Sequence, residues 1–121
     1  MVFRIAVCSP DAVLRRRVER HCLEYYARRA DACIIEQMDS ASALLRRQSE
    51  GARYELYLIE LTAQDPSAGL KAADALRKAG VRAPLAFFAH TPAHAFSAYR
   101  VDAMQYFLLP VRPEQMMALL D

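Results

Sequence analysis

Glu60 closes the apolar run Arg53-Tyr54-Glu55-Leu56-Tyr57-Leu58-Ile59-Glu60-Leu61 and is followed by the polar loop Thr62-Ala63-Gln64-Asp65-Pro66-Ser67-Ala68-Gly69. A carboxylate at the carboxyl end of a buried strand stands where open α/β sheets bind their ligands, so any chemistry is expected around it. His90 and Thr91 follow a second apolar run, Ala83 to Ala89. Glu60 and His90 together have the types of an acid/base pair, although a histidine at a strand end more often serves as a hydrogen-bonding loop residue. Asp65 is a further carboxylate, but a solvated loop aspartate accepts phosphate only with a metal or cation beside it.

Composition narrows the classes. At 121 residues the chain is one domain, and 55% hydrophobic with 25% charged residues is ordinary for a globular protein. No apolar run approaches the roughly 18 residues needed to cross a bilayer, and no basic segment leads into an apolar one, so a cytoplasmic location without membrane contact is expected. Cys8, Cys22 and Cys33 are odd in number and lack metal-ligand spacing, which argues against zinc and against a disulfide framework. They are expected as small buried hydrophobes, and neither a metal nor a cofactor is expected. Seven arginines against three acids fall in the first thirty residues; such a run is a solvated helix face, or else faces an acidic partner or nucleic acid.

These residues need a scaffold, and the pattern supplies one. Phe3 to Cys8 predicts a first strand, ended by Ser9-Pro10, with Ser9 as helix cap and Pro10 in the first turn. Leu14, Val18, Cys22 and Tyr25 recur at helical spacing. Ala32 to Met38 predicts a second strand near an edge, and Asp39-Ser40 caps a helix carrying Leu44, Leu45 and Gln48 inward and ending at Gly51. After the central strand, Gly69 to Lys78 predicts a third helix. Ala83 to Ala89 is a fourth strand, His90-Thr91-Pro92 opens a short fourth helix, Met104 to Leu109 is a fifth strand, and a last helix from Pro113 turns Met116, Met117 and Leu120 inward. Strand and helix alternate throughout, which implies a parallel sheet covered on both faces. The last helix has no terminating signal, so the chain is expected to be an N-terminal fragment of a longer regulator.

The whole chain resembles the receiver domains of two-component response regulators. The resemblance rests on Arg4-Ile5-Ala6-Val7-Cys8, on Tyr54 to Glu60 with its loop, and above all on Asp102-Ala103-Met104-Gln105-Tyr106-Phe107-Leu108-Leu109-Pro110-Val111, which is similar to the family's G-A-x-D-Y-L-x-K-P-V. The wording near Cys8 and Pro110 is most similar to receivers joined to LytTR-type DNA-binding domains. The resemblance implies a doubly wound, flavodoxin-like α/β fold with a five-stranded parallel sheet in the order 2-1-3-4-5, whose crevice Ser9, Pro10 and Glu60 would line and which would place Glu60 and His90 at the ends of adjacent strands.

An active receiver carries two acids after the first strand, a nucleophilic aspartate after the third, a hydroxyl after the fourth and a lysine before the last proline. Here Ser9 and Pro10, Glu60, Ala89 and Leu109 stand at those positions, and the loop after Glu60 lacks the family's methionine-proline. Ser9-Pro10 removes the charge that would seat Mg²⁺, and glutamate is one methylene too long for the nucleophile. Leu109 removes the cation that would meet phosphoryl charge. The expectation is therefore a degenerate receiver, or pseudo-receiver: not an enzyme, but a module acting by protein contact independently of phosphorylation. Glu60 is then a passive, satisfied carboxylate or a mimic of a phosphorylated aspartate. Tyr106 holds the family's switch position, either locked inward or as a wetted edge residue. The face of the fourth helix, fifth strand and fifth helix, with Phe96, Tyr99, Arg100, Tyr106 and Met117, would meet a protein partner or a second copy, and DNA would be met only by a separate C-terminal domain. The competing reading is a ligand- or redox-sensing domain that uses the emptied crevice near Cys8 and Glu60.

Overall fold

The computed structural model describes residues 2–121. Strands β1 (Val2–Cys8), β2 (Ala32–Met38), β3 (Leu56–Leu61), β4 (Leu85–Ala89) and β5 (Gln105–Leu108) alternate with helices α1 (Ala12–Arg28), α2 (Ala41–Ser49), α3 (Pro66–Lys78), α4 (Ala95–Arg100) and α5 (Pro113–Leu120). All strand pairs are parallel, and the order is β2-β1-β3-β4-β5. This is the parallel sheet expected from the alternation of elements, in the doubly wound order that the resemblance implies.

Every residue of β3 is buried. Successive side chains of a strand point to opposite faces, so the row Leu56, Leu58 joins Ile5, Val7, Ala86 and Phe88 under α1 and α5. The alternate row Tyr57, Ile59, Leu61 joins Leu85, Phe87 and Ala89 under α2 and α3. The sheet thus separates two apolar layers. By the same period Glu60 continues the Leu56–Leu58 row, at the sheet end where β1 and β4 also stop.

Local differences from the sequence pattern have physical causes. Asp11, not Ser9, caps α1, its carboxylate accepting from the amides of Val13 and Leu14 at 2.9 and 3.3 Å. Pro10 therefore lies outside the helix. Helix α3 starts at Pro66, ahead of Gly69, because proline is well suited to a first helical turn. In α5, Met116 and Leu119 are the buried residues, while Met117 is exposed. Strands β4 and β5 are shorter than their apolar runs.

Two polar clusters tie the layers together. Glu36 on β2 accepts from Arg4 on β1, from Arg47 on α2 at 2.5 Å and from the Tyr54 hydroxyl at 2.5 Å. Arg77 near the end of α3 donates to the carbonyls of Val81, Ala83, Val101 and Asp102 at 2.8–3.0 Å. One guanidinium thereby fastens the α3–β4 loop to the α4–β5 loop. Arg77→Ala is expected to cost about 2–3 kcal/mol in urea unfolding, since charge-assisted bonds to partly buried carbonyls are lost. Lys78→Ala, which removes only an exposed pair with Asp74, should cost no more than about 0.5 kcal/mol.

Candidate functional site

Glu60 is placed by the end of β3, and only 6% of its side chain is exposed. Its Oε1 accepts from the Ser9 hydroxyl at 2.5 Å, and its Oε2 lies 3.0 Å from His90 Nε2. A hydrogen on Nε2 makes that contact a donation to the carboxylate, and the imidazole is otherwise half exposed. Sequence reasoning set Glu60 and His90 side by side at adjacent strand ends, and the structure brings them into contact. Ser9 itself is fully engaged: its amide donates to Met38 O, its carbonyl accepts from Arg15, and its hydroxyl oxygen also accepts from the Asp11 amide at 2.9 Å. The β1–α1 turn is thus stitched to β2, to α1 and to the end of β3.

The remaining expected positions carry no charge into this cluster. Ala89 is fully buried, and Leu109 packs against the α1–α5 layer. Thr91, the hydroxyl residue two positions beyond Ala89, accepts from the Ala93 amide at 3.2 Å in the turn that opens the next helix. The two lysines of the chain, Lys71 and Lys78, are both exposed on α3. Beside Glu60, a crevice of about 180 Å³ opens between the β1–α1 turn, the start of α2 and the β3–α3 loop. Asp39 and Asp65 line it, with Cys8, Ile59 and Ala68 forming apolar wall. Sequence reasoning did not foresee the part played by Gly69, which α3 presses against β3. A Cβ there would sit 2.7 Å from Leu61 Cδ2 and 3.3 Å from the Glu60 carbonyl oxygen.

A hard divalent cation does not fit these donors. Mg²⁺ asks for several oxygen ligands in near-octahedral array. Here Pro10 offers no side-chain donor, the Ser9 hydroxyl is spent on Glu60, and the Asp11 carboxylate caps α1. Among the described residues no group of three His, Cys, Asp or Glu side chains is arranged to hold a metal. Nor does any described helix have the length and apolarity to cross a membrane.

No protein-family model matches the sequence, and no curated protein matches it. Solved structures do. The response regulatory domain of MrkE from Klebsiella pneumoniae superposes with a TM-score of 0.82 at 13% identity, over 97% of this chain and 91% of that one. A response regulator receiver protein from Pseudoalteromonas atlantica gives 0.80 at 19% identity, over 97% and 93%. The chemotaxis response regulator CheY4 of Vibrio cholerae gives 0.78 at 15%, over 99% and 97%. This chain has the fold of a response-regulator receiver domain.

On that receiver fold the residues at the crevice have to be judged by their own chemistry. Tyr106 is half buried against the α2–α3 layer, and its hydroxyl donates to the Thr91 carbonyl at 2.5 Å. Phe96 and Tyr99 on α4 are 73% and 79% exposed, and Arg100, Met104, Leu108 and Met117 are exposed as well. Cys8 is 4% exposed, and its thiol is pushed up to about 12, first by burial and then by Asp39, against a smaller opposing effect of Arg15. Burial likewise pushes Cys22 up to about 12. A raised thiol pKa means the protonated form persists until the pH nears that value, and the thiolate is the reactive species. At pH 8 native Cys8 and Cys22 are therefore expected to resist iodoacetamide, with half-buried Cys33 alkylated first. Peptide mapping checks this, and all three should label in denaturant.

Proposed function

We propose that this domain is a pseudo-receiver: a non-enzymatic regulatory module that acts by protein contact, whatever the phosphorylation state of its partners. The observation that carries this reading is the occupancy of Glu60, whose two oxygens are already met by Ser9 at 2.5 Å and His90 at 3.0 Å inside the protein. A phosphoacceptor has to present a free oxygen in line with the donor, with cations neutralising the charge that builds on the phosphoryl oxygens. Glu60 has neither. The same occupancy supports a passive, satisfied carboxylate over phosphomimicry, because among the described residues no lysine or arginine lines the crevice to meet a protruding charge.

Output would then come from a fixed surface. The Tyr106–Thr91 bond ties the aromatic ring to the β4–α4 loop, and Ala89 supplies no hydroxyl whose movement could release it. Phe96, Tyr99 and Met117, with Arg100, offer the aromatic, methionine and arginine types enriched at interface centres, and this face suits a protein partner or a second copy. The segment Asp102–Val111 and its likeness to receivers joined to LytTR-type domains support a place in a two-component-type transcription regulator, DNA being contacted by a separate domain. A ligand-sensing reading keeps the crevice beside Glu60 as its support. The burial of Cys8 weighs against redox sensing there.

With 10 mM Mg²⁺ and beryllofluoride or acetyl phosphate, amide spectra of this domain are expected not to change, and mass spectrometry to show no added phosphoryl group. Saturable shifts around Glu60, or a ring movement of Tyr106, would overturn the proposal. In sedimentation, association at high concentration is expected to weaken at least tenfold in the Phe96→Ala, Tyr99→Ala double variant without loss of thermal stability; a strictly monomeric parent domain would remove the homodimer.

A further inference from the structure

The two edges of the sheet, β2 and β5, are built differently. β5 has four residues and is soon followed by Pro110, and shortness and proline are both ways in which folded proteins blunt a free edge. β2 has seven residues, pairs with β1 in unbroken register, and carries neither proline nor lysine. Its single charge, Glu36, is turned to Arg4, Arg47 and Tyr54 and does not guard the edge. The Met38 carbonyl accepts from the Ser9 amide on the β1 side, and backbone groups alternate sides along a strand. Cys33, Ile35 and Gln37 therefore direct their amides and carbonyls outward, where no turn or loop backbone among the described residues meets them.

The charges along this edge are polarised. At its carboxyl end Arg15, Arg46 and Arg47 line a cleft of about 290 Å³ with Gln37, Met38 and a single acid, Asp39. At its amino end stand Asp31, just ahead of β2, and Glu19, close enough to Cys33 to help burial push that thiol up. Arg4 and Arg29, toward the same end, are spent on Glu36 and Asp121. Arg15, Arg46, Asp31 and Glu19 have no ion-pair partner among the described residues. Arg15, Glu19 and Leu23 recur at every fourth residue on the flank of α1 away from α5, and Leu23 is 44% exposed.

We infer that β2 pairs with β2 of a second copy of this chain, antiparallel about a dyad at Ile35. In that register Ile35 faces Ile35 and Cys33 faces Gln37. Each such pair exchanges two backbone hydrogen bonds, so every outward group of the strand is used. The same dyad carries the acidic end of each edge onto the basic end of the other: Glu19 comes to Arg15 of the second copy, and Asp31 to Arg46. A parallel arrangement would set like charges together, so the charge pattern selects the antiparallel one. One strand edge and one helix flank make a small contact, and the association is weak, on the order of millimolar. It lies at the edge opposite β5 and does not depend on how the α4–β5–α5 face or Glu60 acts.

Disulfide trapping in a Phe96→Ala, Tyr99→Ala, Cys33→Ser background, which takes the other face out of play, tests the pairing. Hydrogen-bonded pairs stand about 5.5 Å apart at Cα, within disulfide reach, so Ile35→Cys is expected to crosslink to itself under a mild oxidant. Ile34→Cys, although the more exposed position, faces Glu36 of the second copy and should crosslink about tenfold more slowly. With Cys33 retained, Gln37→Cys should crosslink to Cys33 of the second copy. Arg46→Asp and Asp31→Arg should each slow trapping about tenfold, since the dyad repeats the repulsion, and together restore it to within about twofold. Trapping that merely follows exposure, with Ile34→Cys the faster, would overturn the inference. So would a double charge reversal as slow as either single one, or no trapping at Ile35→Cys and Gln37→Cys in folded protein at millimolar concentration.

Discussion

A strand buried along its whole length leaves no water for any polar side chain it carries. β3 is such a strand, and Glu60 is its polar member. A carboxylate taken out of water without partners is strongly disfavoured, so the protein has to bring hydrogen-bond donors to it. Ser9 and His90 do this from the ends of β1 and β4, the strands on either side. The β1–α1 turn follows from that need. Ser9 is held at three of its polar atoms because its hydroxyl must stay aimed at Glu60, and Asp11, two residues on, is left to cap α1.

Most of the architecture was legible because it rests on periodicity. The unbroken apolar run of β3, the helical recurrence of Leu14, Val18 and Cys22, and the glycines closing α2 and α3 each report a local physical cause, and together they imply the parallel sheet. The misplaced details were those decided by competition. Ser9 and Asp11 both have the chemistry of a helix cap; a buried glutamate 51 positions away claimed the serine, and that distance in sequence hides the claim. Met116 and Met117 are alike in type, and only the packing of α5 against α1 selects Met116 for the interior.

The site was legible in part. The meeting of Glu60 and His90 could be anticipated because the resemblance implies neighbouring third and fourth strands, and adjacent parallel strands finish at one edge. What could not be anticipated was the hydroxyl of Ser9 as the second partner, since Ser9 was weighed as a helix cap and for the charge it lacks. Arg77 was also invisible. An arginine in the last turn of a helix is ordinary, and nothing local shows that its four acceptors come from two loops distant in sequence from each other.

Gly69 carries a consequence for the size of the crevice. Helix α3 rests on β3 so closely that a methyl group on Gly69 would fall 2.7 Å from the tip of the Leu61 side chain and 3.3 Å from the Glu60 carbonyl oxygen, so Leu61 would have to repack. The wall of the crevice is therefore fitted to an atom that is missing, and a carbon added there has first to be accommodated by the Leu61 side chain.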